Sequence, residues 1–155
     1  MKLAEALAMR ADSVKRIEQL RGRIDGNARF QEGEEPAEDA AALLAEVGDV
    51  LDEFENLVRR INRTNAASRI DGDTTVTDAL ARRDALRLRH SIVTGAADAA
   101  VGRDRGYGRQ LRSELKMLSA LPVASLRAQA DELARELREL DVRIQRANWE
   151  IDLLD

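Results

Sequence analysis

The chain has 155 residues, 44% of them apolar, and a formal net charge of −4. That is enough length and apolar content for one packed domain rather than a disordered segment, and the charge is too mild to call for a nucleic-acid partner. Cysteine is absent, which excludes disulfides, thiolate metal ligands and a thiol nucleophile and fits a cytoplasmic protein.

The N-terminal "MKLAEALAMRADSVKR" is broken by Glu5 and Arg10, so it is not expected to be a signal peptide. No stretch approaches the 18 apolar residues of a membrane span. Instead Leu3, Leu7, Val14, Ile17, Leu20 and Ile24 recur at helical steps and predict a first helix over 2–24, with Gly22, Gly26 and "IDGN" weakening its end. The segment "FQEGEEPAED" reads as a loop, and Pro36 followed by Glu38 and Asp39 as a helix start.

A second helix is predicted over about 37–66. Its seam is Leu44, Val47, Leu51, Phe54, Val58 and Ile61, widened by Leu43, Val50 and Leu57. That width suits a bundle more than a two-stranded coiled coil. Arg59, Arg60 and Arg63 crowd its C-terminal end, where cations suit the helix dipole. "ASRIDGDTTVT" is the next loop, with Asp71-Gly72 as a turn pair, Thr75 and Asp78 at capping-box spacing and Thr77 as a rival cap.

A third helix is predicted over 76–101, with Val76, Leu80, Leu88, Ile92 and Val93 as its larger apolar residues, thinning into "TGAADAAVG". Glycines at 102, 106 and 108 predict a loop, and "QLRSELKMLSA" fits either a short helix or an extended excursion. The fourth helix, about 122–152, has the unbroken seam Leu126, Ala130, Leu133, Leu137, Leu140, Ile144, Ala147, Ile151.

Two internal matches keep chain order. "LAEALAMR" at Leu3 aligns with "VTDALARR" at Val76, 73 residues on, and "LVRRINRTN" at Leu57 aligns with "LDVRIQRAN" at Leu140, 83 residues on. The expected architecture is therefore all-α: an antiparallel four-helix bundle in a single domain, 1–155. It is built from two duplicated long αα-hairpins (pseudo-repeats 1–66 and 76–152), with a glycine/arginine-rich excursion between helices three and four. Helices two and four would each reach roughly 40–45 Å, and so slender a bundle gains burial by self-association.

The catalytic inventory is thin. His90 is the sole histidine and falls near Leu86 and Val93, a structural or surface position. Glu-x-x-His, a glycine-rich phosphate loop, G-x-S-x-G and an EF-hand loop are all missing from the sequence. A carboxylate metal site would draw on Glu5, Glu46, Asp78 and Glu132; no cofactor, metal or small-molecule substrate is expected, and no enzyme activity.

The charges form a map. Gln31–Glu55 holds ten acids and no base, whereas Arg103–Lys116 holds five bases and two acids. The basic segment, Arg103, Arg105, Tyr107, Arg109, Arg112 and Lys116, reads as an assembly arm lying on the acidic face of a second copy, or alternatively as a single-stranded nucleic-acid patch with Tyr107 stacking. The twin helix ends, "NRTN" and "RANW", carry Asn62, Asn65, Asn148 and Trp149. They read as helix-end chemistry with Trp149 closing the core, or as a polar network of the three asparagines across the pseudo-twofold, joined by Arg83 and Asp84.

Several segments resemble a family. "MKLAEAL" at Met1, "RIEQL" at Arg16, "QEGEEPAED" at Gln31, "RINRTN" at Arg60, "DALARRDAL" at Asp78 and "LRELDVRIQRANWEIDLL" at Leu137 are similar to the small bacterial septicolysin-like proteins. "RGYGRQLRSELK" at Arg105 and Gly95 fit that pattern less closely. The resemblance implies a membrane-damaging, cytolysin-like activity and supplies no catalytic residues. Against it, the start of helix two is acidic and aromatics make up only 3% of the chain, whereas lytic helices pair a basic face with bulky apolar and aromatic side chains. The leading expectation is a self-assembling helical interaction protein whose partner is its own second copy. The alternatives are a membrane-active protein and a carboxylate-metal or nucleic-acid-binding bundle.

Overall fold

A computed structural model describes residues 1–102 and 115–155. It contains α1 (Leu3–Asn27), α2 (Ala40–Ala67), β1 (Arg69–Asp71), β2 (Thr74–Thr75), α3 (Val76–Ala100) and α4 (Val123–Glu150). The all-α class and the four helices, in two successive hairpins, are as the sequence predicts. The short antiparallel β1–β2 ribbon stands where the sequence predicts a plain loop.

The helix ends show what decides a boundary. α1 runs through Gly22 and Gly26 to Asn27, although each glycine costs about 1 kcal/mol relative to alanine. Tertiary contacts offset that cost. Leu20 is fully buried. Arg23 grips the Glu38 carboxylate, with Nε 2.9 Å from Oε2, and this hydrogen bond holds the Glu38 carboxyl below its usual range. Asn27 accepts a hydrogen bond from the Glu38 backbone N–H at 3.0 Å. α2 starts at Ala40 rather than just after Pro36, because Asp39 is the N-cap: its carboxylate accepts from the N–H groups of Ala41 and Ala42 at 2.9 and 3.2 Å.

At the ribbon the turn glycine, Gly72, has φ +44°, a left-handed conformation that favours glycine. Arg69 spans the turn to Asp73 at 2.5 Å. α3 then begins at Val76 with Asp78 in its first turn. Thr75 thus directly precedes the helix, and Thr77 lies inside it. Leu115–Pro122 forms neither helix nor strand; the rest of the "QLRSELKMLSA" prediction lies outside the described residues.

The chain divides into two compact units. One comprises Met1–Val76 with Gln145–Asp155, the other Thr77–Ile144. In the first, Arg16 pairs with Glu46 on α2 and the later Arg23 with Glu38, just ahead of α2, so α1 and α2 run antiparallel. Leu3, Ala6, Leu57, Ile61 and Leu153 form its core cluster, with Leu7 and Ile151 packed against them. In the second, Arg87–Asp141 and Arg127–Asp98 define an antiparallel α3–α4 pair in the same way.

The duplication is visible in the helices themselves. α1 and α3 each have 25 residues and α2 and α4 each have 28. Their starts are separated by the 73 and 83 residues found from the sequence matches. Burial follows the same offsets. Leu3 and Val76, Ala6 and Ala79, Leu20 and Val93, Leu57 and Leu140, and Ile61 and Ile144 are all buried pairs.

The seam of α4 is as predicted, with Ala130, Leu133, Leu140, Ile144 and Ala147 buried. The seam of α2 is rotated from its expected position. Leu43, Leu57, Ile61 and Thr64 are buried, whereas Leu44, at 57% exposure, and Leu51 stand outside. When apolar residues occupy two neighbouring lines of a helix, spacing alone does not say which line meets the partner. On α3 the buried residues are Val76, Ala79, Leu86, Val93 and Ala97; the larger Leu88 and Ile92 are exposed. On α1, Val14 is also exposed.

A clasp of the chain ends and the exposed helix faces

Among the described residues, a set of backbone and side-chain hydrogen bonds joins the two ends of the chain. Lys2 and Asp152 form an antiparallel β-bridge, in which the Leu3 N–H donates to the Ile151 carbonyl and the Leu153 N–H to the Met1 carbonyl, both at 2.9 Å. Lys2 Nζ pairs with the Asp152 carboxylate at 2.8 Å and donates to the Glu150 carbonyl at 3.1 Å. A lysine here satisfies an orphan carbonyl at the end of α4 and suits the negative pole of that helix. At the other end, Glu5 accepts from the Lys2 backbone N–H at 2.7 Å.

The tail continues along the end of α2. The Leu154 N–H donates to Thr64 Oγ1 at 2.9 Å, and that hydroxyl donates to the Arg60 carbonyl at 2.8 Å. Arg60 Nε in turn donates to the Leu154 carbonyl at 3.0 Å, and its guanidinium pairs with the Asp155 carboxylate at 2.9 Å. Thr64 is fully buried, and it is not among the candidate residues of the sequence. The available signal was its phase: it falls three residues after Ile61 on the line of Leu57, where an apolar side chain is the norm.

The Lys2 hydrogen bond and charge hold the Asp152 carboxyl below its usual range. A carboxyl depressed in the folded state contributes stability above its unfolded pKa of about 3.9 and loses it as the pH falls through the folded value. Amide exchange protection at Leu3 and Leu153, relative to Ile61, should therefore fall on acidification below about pH 4. In Asp152→Asn it should be low at neutral pH already. Equal protection in parent and variant at neutral pH would show that the ion pair does not hold the bridge.

The predicted polar network is not assembled. Asn148 is buried, Asn65 half-buried and Asn62 exposed, and no side-chain hydrogen bond joins them among the described residues. Trp149 is 64% exposed and does not close the core; Leu153, which the clasp folds inward, does so instead. Arg83 and Asp84 pair with each other at 3.1 Å.

The carboxylates considered for a metal have separate engagements: Glu5 with Lys2, Glu46 with Arg16, Glu132 with Arg135 at 2.5 Å, and Asp78 in the first turn of α3. Among the described residues no three His, Asp or Glu side chains form a group that could hold a metal ion. His90 is half-buried. Of the predicted arm, Arg103, Arg105, Tyr107, Arg109 and Arg112 lie outside the described residues, and Lys116 is exposed. The acidic run meant to receive that arm is partly engaged within its own hairpin, through Arg16–Glu46 and Arg23–Glu38.

What the surface does display is apolar. Leu44 and Leu51, one heptad apart on α2, are exposed, as are Leu88 and Ile92 on α3 and Leu115, Met117 and Leu118 ahead of α4. A shallow groove of about 560 Å³ lies between α1 and α2, bordered by Met9, Ser13, Asp52, Glu53 and Arg60. No helix among the described residues is long and apolar enough to cross a membrane.

A duplicated helical hairpin, tied at its chain ends, with apolar helix faces turned to solvent and no metal-binding group among the described residues, is the class of protein these features define. The chain belongs to a family described as a family of unknown function (DUF6847), which matches residues 10–153. It is similar to a functionally unknown conserved protein from Corynebacterium diphtheriae, whose crystal structure superposes with a TM-score of 0.91 at 38% identity over 99% of each chain. No curated protein matches it.

Proposed function

We propose that this is a non-enzymatic helical interaction protein that works by self-association. The observation that supports the reading most directly is large apolar side chains standing in solvent at helical spacing on both hairpins: Leu44 and Leu51 on α2, Leu88 and Ile92 on α3. Single exposed apolar residues are ordinary on protein surfaces, but exposed residues that repeat along one helix line mark interaction faces. Burying each such side chain is worth about 1.5–3 kcal/mol, so several contributed by each of two copies offset the cost of bringing the copies together.

Sedimentation velocity across the micromolar range tests this. A species heavier than the 17.2 kDa chain, growing with concentration, is expected. A 17.2 kDa species throughout would reject self-association. Release of dye from anionic or neutral vesicles by such a monomer would put a membrane-active protein in its place.

A further inference from the structure

We infer that the exposed face of α3 is the seam on which a second copy of this chain docks, α3 against α3 and in parallel. This rests on the self-association reading and names its surface, orientation and register.

The face is a heptad line that the described residues leave uncovered. Ala81, Ala85, Leu88, Ile92, Gly95 and Ala99 follow one another at steps of four, three, four, three and four, the spacing that keeps one stripe facing a partner helix. All six are exposed, Leu88 at 67% and Ile92 at 70%. The opposite line of the same helix, Ala79, Leu86, Val93 and Ala97, is buried. α3 therefore carries two apolar stripes, of which the fold uses one.

The duplication provides an internal control. At the 73-residue offset, the counterparts of Ala81, Ala85, Leu88 and Ile92 on α1 are Ala8, Asp12, Lys15 and Gln19. The same position in the sister hairpin has the ordinary polar solvent face. The hairpin thus folds without leucine and isoleucine there, and the α3 residues answer to something outside it.

The flanking charges select the occupant and its direction. One edge of the stripe carries Arg82 and Arg89, and the other carries Asp84 and Asp98. In a parallel pair the two edges meet each other, which sets Asp84 against Arg89 of the partner subunit twice over. In an antiparallel pair each edge meets its own kind and like charges face each other. Arg82 and Asp98 already have partners in their own chain, Glu136 at 3.5 Å and Arg127 at 2.6 Å. Arg89 has no ion-pair partner among the described residues, and Asp84 has only its neighbour Arg83. At the parallel contact Arg89 therefore has its guanidinium available, and Asp84 offers Oδ2, since Arg83 engages its Oδ1.

Because the chain has no cysteine, single cysteines report the pairing without background. Ala81 and Ala99 lie at the two ends of the stripe, about 27 Å apart along the helix. Under mild oxidation, Ala81→Cys alone and Ala99→Cys alone should each give a disulfide-linked dimer. A dimer formed only when the two variants are mixed means antiparallel docking and overturns the inference. Dimers in sedimentation with no crosslink from either variant place the contact elsewhere, overturning the inference while self-association stands. A chain monomeric at every concentration overturns both.

Two further variants read the energetics. Leu88→Glu, on an exposed position, should leave the helical circular-dichroism signal unchanged and raise the dimer dissociation constant by about a hundredfold or more. Arg89→Asp should weaken the dimer, and Asp84→Arg combined with it should restore association. An unchanged dissociation constant in Leu88→Glu, or no recovery in the double variant, counts against the seam.

Discussion

Ile61→Ala is expected to lower the unfolding free energy by about 3 kcal/mol, read as a reduced urea midpoint at an unchanged slope. Ile61 is only 1% exposed, and its neighbours in the core cluster come from three separate stretches: Leu3 and Ala6 at one chain end, Leu57 on its own helix, Leu153 at the other end. Elements held from three sides cannot readily collapse into the void, so the cavity penalty adds to the lost transfer energy. The informative comparison is Leu44→Ala. Spacing alone places both residues on one seam, but Leu44 is more than half exposed. At protein concentrations low enough to leave a monomer, Leu44→Ala should cost under about 0.5 kcal/mol. Equal costs for the two substitutions would mean that the α2 seam lies where the spacing put it.

That comparison marks the boundary between what was legible and what was not. Helix existence, order and duplication could be read because they depend on local periodicity and on matches within the chain. The offsets between "LVRRINRTN" and "LDVRIQRAN", and between "LAEALAMR" and "VTDALARR", recur as the offsets between helix starts. The phase of the seam could not be read on α2, α3 or part of α1. Each of these helices carries more than one apolar line, and which line is buried depends on the partner. On α4, with a single dominant line, spacing and burial agree.

Short-range signals are legible only in part. Asp71-Gly72 marks a turn, but Ile70 and Thr74-Thr75 on either side are too short a run to predict the strands of a ribbon. The polar groups are a different case. Asparagines at matching helix ends stand out because they are poor interior residues, yet no side-chain hydrogen bond joins them among the described residues. The residue that organises that region is Thr64. Its partner is Leu154, 90 positions away, and the bridge from Lys2 to Asp152 spans nearly the whole chain. Nothing local announces such contacts.

Thr64→Val tests the clasp directly and is expected to cost about 2 kcal/mol. The valine fills nearly the same volume, so the core around Ile61 and Leu57 keeps its packing. What disappears is the hydroxyl oxygen that accepts from the Leu154 N–H at 2.9 Å, in a part of the structure where Thr64 itself has no solvent contact. The hydroxyl makes two hydrogen bonds, accepting from the Leu154 N–H and donating to the Arg60 carbonyl, and each is worth about 1 kcal/mol net. The counterpart of Thr64 in the second repeat is Ala147, also buried. A hydroxyl is therefore not a requirement of the hairpin; only the tail that crosses this repeat needs one. Thr64→Ser separates the terms. It keeps the oxygen and loses one methyl group, so about 1 kcal/mol of stability should go while the Leu154 amide stays protected from exchange. In Thr64→Val that amide should exchange faster, and the Arg60 pairing with Asp155 should loosen with it. If serine proves as costly as valine and Leu154 exchanges alike in both, the hydroxyl does not hold the tail, and Thr64 contributes by packing alone.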